Sequence, residues 1–537
     1  MSTIASENES QTDRCIHTHN NQTQSSMTNE PNQSESYESR FRPIYSQRKR
    51  SLDGLVINND DSSDSSEDER SRLLGRTPHT TVQTVAVVND YTSISVQTGN
   101  QHSIVTIFSM WNTMMGTSLL SMPWTIKQAG FINGIVLLVL MAGIMAYTTY
   151  RVLKVCHYLG GEALVEFSDA VKCYLGRITE GVAILCSLLT LLGGCIVYWI
   201  LMSNFLYHIG IFIYSHVKVG SHEPNGSFHS YLSFPSDATC YNKTEIVIFN
   251  NDVFAKLWDE TKTIPLYLIL LIFPFINFKS PTFFTKFNSF GTLSVIYLIV
   301  FVLVKAGQWG MHIDINKNHD FSPSYSPVAE WSFPALTGVA ALAYLLQNAV
   351  ISIVRNQKYP ENNTRDLLIA YCLVCITYTL IGAVFYASFP LHKSCIEDNF
   401  LNNIASVDIM AFVARIGLFF QMLCVLPLLT FIIRAQLLHF LFRSVWPSLK
   451  HVVLLNIIIV ALSVVFAVFL PSIGHIISFV GGFCGFSYAI ALPCAVYLVS
   501  SYQSRTLSWI KITFHGFLIF IGFANFVAQF VIIGHTK

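Results

Sequence analysis

Eleven apolar segments, each long enough to cross the roughly 30 Å hydrocarbon core of a bilayer, follow one another from Ile104 onward. They run approximately over 104–126, 131–155, 179–212, 264–278, 287–307, 334–354, 366–389, 409–433, 452–470, 476–500 and 512–533. Charged residues make up only 12% of the chain, against roughly 25% in soluble domains. Because a helix in lipid must satisfy its own backbone hydrogen bonds, these segments predict an all-α membrane protein with eleven transmembrane helices.

Residues 1–100 have the opposite composition. They are rich in Ser, Asn, Gln, Thr, Asp and Glu, and they contain few apolar residues that could offset the entropy cost of ordering. We therefore expect a disordered N-terminal tail, followed by a transmembrane domain over residues 104–533. The formal net charge of +1 gives no indication of nucleic acid binding.

Two short patterns lie within this tail. Glu69 stands four positions before the pair Leu73 and Leu74, which is the acidic dileucine pattern that clathrin adaptors bind, and it predicts sorting to endosomes and lysosomes. Residues 81–96 place alternating apolar residues on either side of an Asn-Asp turn, which predicts a β-hairpin. An isolated hairpin is marginally stable in water, so we expect this one to dock in the cytosolic vestibule.

The distribution of Lys and Arg between the short loops predicts a cytosolic N-terminus and, with an odd number of spans, a luminal or external C-terminus. The long loop 215–262 then lies on the non-cytosolic side. It contains glycosylation sequons at Asn225 and Asn242, which agree with this orientation. Cys240 and Cys395 are the only cysteines clearly on the oxidising side, which gives the hypothesis of a Cys240–Cys395 disulfide.

Residues 112–118 read Asn-Thr-Met-Met-Gly-Thr-Ser and break the first apolar segment with polar side chains and a glycine. An interrupted helix is tolerated in a membrane where its freed N–H and C=O groups bind a substrate or line a cavity. The amides around Gly116 would start a second half-helix whose positive end favours a carboxylate, while Asn112 and Thr117 can face a sodium ion or an amino group. We expect a small zwitterion to bind here; the alternative is a small-residue face that packs against another helix.

The sixth span should contain a matching interruption if the fold consists of two inverted five-helix repeats. Residues 333–344 are rich in small residues, and Gly338 is the predicted discontinuity. Tight helix packing is the alternative interpretation here too. No Asp or Glu lies well inside any predicted span, so the charge of a cationic substrate would be held by carbonyl groups, hydroxyls or an aromatic face such as Tyr344.

The spans offer no arrangement of residues typical of an enzyme. His208, His475 and His515 are isolated and have no neighbours at metal-binding spacing, and no glycine-rich phosphate loop precedes a helix. The cysteines do not form the paired Cys-x-x-Cys pattern of a zinc site. We expect neither catalysis nor a cofactor, apart from the sodium ion considered above.

Several motifs resemble a known family. The first span carries Trp-Asn-Thr-Met-Met-Gly-Thr-Ser, and the further matching stretches are 123–124, 126–131, 197–206, 277–281 and 395–401. Over residues 104–533 the chain resembles the sodium-coupled neutral amino acid transporters, most closely their lysosomal, arginine-sensing branch. The resemblance implies the amino acid/auxin permease superfamily and a leucine-transporter-like fold, with a five-plus-five inverted repeat and one extra helix.

The resemblance also implies the residues of the site. Backbone contacts to the α-carboxylate and amine of an amino acid would come from Thr113, Met114, Met115 and Gly116, with hydroxyls from Thr117 and Ser118. Asn112 would occupy the position of the family's sodium ligand. The stretch 423–427, Leu-Cys-Val-Leu-Pro, has no hydroxyl where the related transporters carry a sodium-binding threonine, which leaves the coupling ion open.

From the resemblance we expect a lysosomal or late endosomal membrane protein that transports arginine, leucine and other large amino acids. Members of the branch also bind Ragulator and the Rag GTPases through the cytosolic tail and signal to the target-of-rapamycin kinase complex. Residues 81–96 resemble the family's N-terminal plug, and residues 42–46 are similar to its Ragulator-binding segment. Two alternatives remain open: a receptor and scaffold that binds an amino acid without transporting it, and a plain sodium-coupled neutral amino acid transporter without a signalling role.

Overall fold

The computed structural model describes residues 99–160, 165–219, 253–278, 290–315, 322–442, 444 and 446–535. These residues belong to one compact unit, Val96–Lys537. Several sequence-based predictions fall outside the described residues and stay predictions. They are the tail up to residue 98 with its pattern at Glu69, Leu73 and Leu74 and its hairpin 81–96, and, in the loop 215–262, the sequons at Asn225 and Asn242 and the cysteine Cys240.

The described chain is helical. Its helices are α1 Ser103–Met114, α2 Ser118–Ala129, α3 Phe131–Gly160, α4 Phe167–Leu175, α5 Arg177–Val219, α6 Val253–Leu257, α7 Ile264–Ile276, α8 Phe290–Trp309, α9 Phe333–Ala343, α10 Val350–Val354, α11 Asn363–Ser388, α12 Ile409–Phe442, α13 Leu449–Phe469, α14 Ile473–Cys484, α15 Leu492–Gln503 and α16 Trp509–His535. A π-helical segment, Gly485–Ala491, joins α14 to α15. Short 3₁₀ turns precede α11 and interrupt the loop between α11 and α12.

Eight of the described helical stretches are long and apolar enough to cross a membrane. They are Phe131–Leu159, Arg177–Val217, Gly291–Trp309, Pro360–Ser388, Ile409–Phe442, Leu449–Phe469, Ile473–Gln503 and Trp509–Val531. The prediction of an all-α membrane protein is confirmed. The count of eleven spans stays a prediction, because the segments 104–126, 264–278 and 334–354 form helices that are shorter or interrupted.

Two predicted spans consist of two helices each. The first span is interrupted between the end of α1 at Met114 and the start of α2 at Ser118, within the stretch that the sequence predicts. The sixth span is interrupted over residues 344–349, between α9 and α10. Gly338 lies inside α9, which continues through it, so the prediction that Gly338 is the discontinuity is wrong.

Close helix packing explains this glycine. A Cβ atom on Gly338 would lie 2.4 Å from the carbonyl oxygen of Ser478, and one on Gly481 would lie 2.0 Å from the carbonyl oxygen of Gly338. Both distances are far below van der Waals contact, so a larger residue at either position would push α9 and α14 apart. For Gly338 the alternative interpretation of the sequence, tight packing, is therefore the right one.

The loop between α11 and α12 holds one end of the first span. Lys127, near the end of α2, donates through Nζ to the carbonyl oxygens of Ser394 and Ile396 at 2.7 and 3.1 Å. Cys395, between these two carbonyl groups, is buried and disulfide-bonded. Its pairing with Cys240 stays a prediction, because Cys240 lies outside the described residues.

The segment that follows α10 holds the other end of the first span. The N–H group of Gln101 donates to the carbonyl oxygen of Asn356 at 3.0 Å, and the N–H group of Lys358 donates to the carbonyl oxygen of Gln101 at 2.9 Å. Between them, the buried side chain of Gln357 donates through Nε2 to Asp366 Oδ2 at 2.6 Å. The first span is thus anchored at both ends, and its interruption lies between the anchors.

Candidate functional site

The backbone between α1 and α2 is only partly hydrogen-bonded. The N–H group of Gly116 donates to the carbonyl oxygen of Met114 at 2.9 Å. In the described part of the chain, however, no backbone carbonyl accepts from the N–H groups of Thr117 and Ser118. These two groups stand at the start of α2, where the peptide dipoles of a helix leave partial positive charge. The interruption therefore presents free donors to an anionic group.

A small cavity of about 10 Å³, enough for about one water molecule, lies beside this interruption. Its mostly apolar lining comes from the first span, α5, α8 and α12, and consists of Met115, Gly116, Thr117, Leu119, Leu120, Tyr198, Val295, Leu298, Leu418, Gln421 and Met422. A Cβ atom on Gly116 would meet only the hydroxyl group of Tyr198, at 3.8 Å. Gly116 therefore keeps space open beside the interruption, and the cavity would have to widen before it could hold an amino acid.

The protein's own side chains bond part of the backbone in the interruption of the sixth span. Gln347 is 1% exposed; its Oε1 accepts from the N–H group of Leu346 at 3.1 Å, and its Nε2 donates to Thr148 Oγ1 at 3.0 Å. Tyr371 in α11 donates its hydroxyl hydrogen to the carbonyl oxygen of Tyr344 at 3.0 Å. The N–H groups of Gln347 and Asn348, like those of Thr117 and Ser118, have no backbone acceptor among the described residues, so this interruption is also only partly paired.

Tyr378 in α11 connects the two interruptions. Its buried hydroxyl group contacts the carbonyl oxygen of Met114, at the end of α1, and the carbonyl oxygen of Ala343, at the end of α9, the latter at 3.3 Å. The ring of Tyr344 packs edge-on against the ring of Tyr378, with centroids 5.4 Å apart. One side chain thus ties together the points at which both half-helices end.

The structure separates the residues that the sequence assigns to substrate binding. Three of them line the cavity: Met115, Gly116 and Thr117. The others, which lie elsewhere, are Thr113, Met114, Ser118, Gly338 and Tyr344. Thr113 has an exposed side chain whose hydroxyl group donates to the carbonyl oxygen of Ser109 at 2.7 Å. Contacts of all these residues with a substrate stay predictions.

Asn112 and Thr117, the two residues predicted to bind sodium, provide neutral oxygen atoms near the interruption. The Oδ1 atom of Asn112 accepts a hydrogen bond from Thr292 Oγ1 of α8 at 3.1 Å. An acceptor oxygen of this kind suits a hard cation, and a sodium ion there would replace the donated hydrogen bond. The sodium site stays a prediction.

Sequence reasoning missed three polar residues at or beside the cavity. Tyr198 and Gln421 line it from α5 and α12, and Tyr378 joins the interruptions from α11. The available signal was a polar group within a long apolar run, which is costly in a membrane helix unless it has a partner. The sequence does not show that these three side chains lie near one another, because that depends on how distant helices pack.

Comparisons with known proteins agree with one another. The family described as "Transmembrane amino acid transporter protein" matches residues 101–534. A Caenorhabditis elegans protein named "Sodium-coupled neutral amino acid transporter 9 homolog" is 44% identical over 462 residues, which cover 81% of this chain and 74% of that protein. The "Neutral amino acid transporter 9" of Rattus norvegicus is 44% identical over 443 residues, covering 80% of this chain and 79% of its own.

Among solved structures, the crystal structure of MhsT in complex with L-phenylalanine is similar to this chain with a TM-score of 0.48. The two sequences are 13% identical, and the match covers 79% of this chain and 97% of that one.

Proposed function

Since this chain belongs to the transmembrane amino acid transporter family, we propose that it carries neutral amino acids across its membrane by binding them at the interruption between α1 and α2. The relatives named as neutral amino acid transporters support this substrate class. In this proposal the protein is a multi-pass membrane transporter, and it performs no chemical reaction on its substrate.

The observation that carries the proposal is the pair of free N–H groups on Thr117 and Ser118 beside a cavity. The α-carboxylate of an amino acid would accept hydrogen bonds from these groups and would lie at the positive end of α2. Carbonyl groups at the end of α1 would face the α-amino group, because the last carbonyls of a helix lack partners within it. The side chain would then extend into the apolar part of the cavity.

Transport requires this site to open to each side in turn. The first and sixth spans can change direction at their interruptions, and the Tyr378 hydroxyl would couple the two movements through Met114 and Ala343. The anchor of Lys127 on the loop that contains Ser394 would have to be released when that end of the first span moves. This is alternating access around a fixed site.

We extend the proposal to location and signalling on the strength of the sequence patterns. The acidic dileucine pattern at Glu69, Leu73 and Leu74 supports a lysosomal or late endosomal membrane. The resemblance supports arginine and leucine as substrates and a cytosolic tail that binds Ragulator and the Rag GTPases. The loop 215–262, with its sequons and Cys240, would be luminal, as would the C-terminus. The coupling ion in this proposal is sodium, held by Asn112 and Thr117.

The experiment is uptake and counterflow of labelled amino acids in proteoliposomes, with sodium or choline as the cation. The variant Thr117→Trp should fill the cavity and reduce uptake to the background of empty liposomes. Thr513→Trp adds the same bulk at an exposed position on α16 and should transport normally. Normal uptake by Thr117→Trp would refute the placement of the site, while saturable binding without uptake by the wild type would favour the receptor.

The signalling part has a separate test. A fragment of residues 1–100 should retain Rag GTPases and Ragulator on an affinity resin. A fragment that retains neither would leave a transporter without a signalling role.

A further inference from the structure

The carbonyl oxygen of the Gln421 side chain has no hydrogen-bond partner among the described residues, although it is buried. The side chain projects from α12 into the cavity that Gly116, Thr117 and Tyr198 also line, and only 8% of it is exposed. Its Oε1 atom is fully covered and accepts no hydrogen bond from any described residue. The other two residues of α12 that line the cavity, Leu418 and Met422, are apolar. Neither can donate a hydrogen bond to this oxygen.

The carboxamide of Gln421 has a defined position because α8 leaves room for it. A Cβ atom on Gly291 would lie 2.9 Å from both Cδ and Nε2 of Gln421. The carboxamide therefore rests on the backbone of α8, where a larger residue would displace it. The next residue of α8, Thr292, bonds Asn112 at the interruption, so α8 contacts both the carboxamide and the broken span.

A buried carbonyl oxygen without a partner lowers the stability of the fold, because it has given up its hydrogen bonds to water. An apolar residue of similar size at position 421 would avoid that cost, since most of the surrounding cavity is apolar. A buried polar group without a partner calls for an explanation, and a partner that arrives with a ligand provides one. A binding site that contains such a group also rejects ligands that leave it unpaired.

We propose that Gln421 determines the substrate specificity of this site by accepting a hydrogen bond from the substrate's side chain. The preferred substrates are amino acids whose side chain ends in an N–H donor, which is a carboxamide or a guanidinium group, over aliphatic side chains of the same size. This inference rests on the proposed function. It adds that the end of the substrate's side chain is recognised and that Gln421 recognises it.

The test compares uptake of glutamine, arginine and leucine by the wild type and by Gln421→Met in proteoliposomes. Methionine keeps the length of the side chain but removes the acceptor. We expect Vmax/KM for glutamine, divided by Vmax/KM for leucine, to fall about tenfold. This change corresponds to about 1.4 kcal/mol for one hydrogen bond. The ratio of arginine to leucine should fall as well if the guanidinium group uses the same acceptor.

Gln436→Met is the matched control. Gln436 lies on the same helix and also has a covered Oε1 atom without a partner, but it does not line the cavity. This variant should leave the substrate ratios unchanged. Gln421→Glu separates the two donor groups, because a carboxylate should favour arginine over glutamine relative to the wild type.

The outcomes separate this inference from the proposed function. If the wild type takes up no amino acid, the proposed function fails. If the wild type transports but Gln421→Met keeps the same substrate ratios, Gln421 is not the specificity residue. A change in sodium dependence with constant ratios would also overturn the inference. If Gln421→Met does not transport, substrate binding is measured instead. The rise in melting temperature caused by glutamine is compared with the rise caused by leucine, and the comparison shows whether the preference for glutamine is lost.

Discussion

Between α1 and α2 the open backbone faces a small cavity, whereas between α9 and α10 side chains of the protein bond part of the backbone. At the first interruption, the N–H groups of Thr117 and Ser118 remain free and Gly116 leaves space toward Tyr198. At the second, Gln347 bonds the N–H group of Leu346 and Tyr371 bonds the carbonyl oxygen of Tyr344. A break in a membrane helix is therefore not by itself a binding site.

The difference follows from the cost of a buried peptide group without a partner. In a membrane protein that cost is several kcal/mol per group, so an interruption persists only where something pairs with its backbone. Side chains from α11 and from the interruption itself do this for part of the backbone in the sixth span. At the first interruption the unpaired N–H groups lie beside a cavity, where a substrate can pair with them. The first interruption is thus the better suited to binding.

The largest expected effect comes from the residue that joins the two interruptions. Tyr378→Phe removes the hydroxyl group that contacts the carbonyl oxygens of Met114 and Ala343. Loss of a buried partner costs about 1–3 kcal/mol, so we expect uptake of all substrates to fall tenfold or more. Initial rates in proteoliposomes measure this.

Tyr488→Phe is the control for that variant. Tyr488 is also buried, but its hydroxyl group bonds no described residue, so uptake should not change. Equal uptake by Tyr378→Phe and the wild type would mean that the two interruptions move independently.

A smaller effect is expected at the interruption of the sixth span. Gln347→Leu leaves the N–H group of Leu346 without its partner and should lower the free energy of unfolding by about 1–3 kcal/mol. Thermal unfolding in detergent measures this loss, and Gln503→Leu at the end of α15 is the control. Substrate selectivity should be unchanged. A variant with altered selectivity and normal stability would place the substrate at the sixth span as well.

The smallest effect is expected from one methyl group at the open interruption. Gly116→Ala places that group 3.8 Å from the Tyr198 hydroxyl, which is ordinary contact, so the protein should fold normally. The smaller cavity should weaken the apparent affinity for large amino acids by no more than about tenfold, compared with the affinity for the small substrate alanine. Competition of labelled uptake by unlabelled amino acids measures it.

Gly338→Ala, in the sixth span, is the counterpart of Gly116→Ala in the first span. There the added methyl group would lie 2.4 Å from the carbonyl oxygen of Ser478, so this variant should lower the melting temperature and leave relative affinities unchanged. If Gly338→Ala altered selectivity at normal stability, Gly338 would belong to the binding site after all.

Two residues mark the limit of sequence-based prediction for this site. Gly116 was assigned correctly to an interruption, because Asn, Thr and Ser surround it and such a cluster has no purpose in a helix that faces lipid. Gly338 was assigned wrongly, because a glycine among alanines fits both an interruption and close packing. Only the approach of Ser478 and Gly481 distinguishes the two. Gln421 was not predicted, since the sequence does not reveal that its oxygen lacks a partner.

The amino-acid sequence by itself determined that this chain forms membrane helices and that the first of them is broken between residues 112 and 118. Both properties are local, because apolar length and backbone continuity depend on consecutive residues. The tertiary structure decided which break adjoins a cavity and which side chains of α5, α8 and α12 surround it. Those properties depend on contacts between residues that are far apart in the sequence, where small changes in helix position decide whether a polar group has a partner.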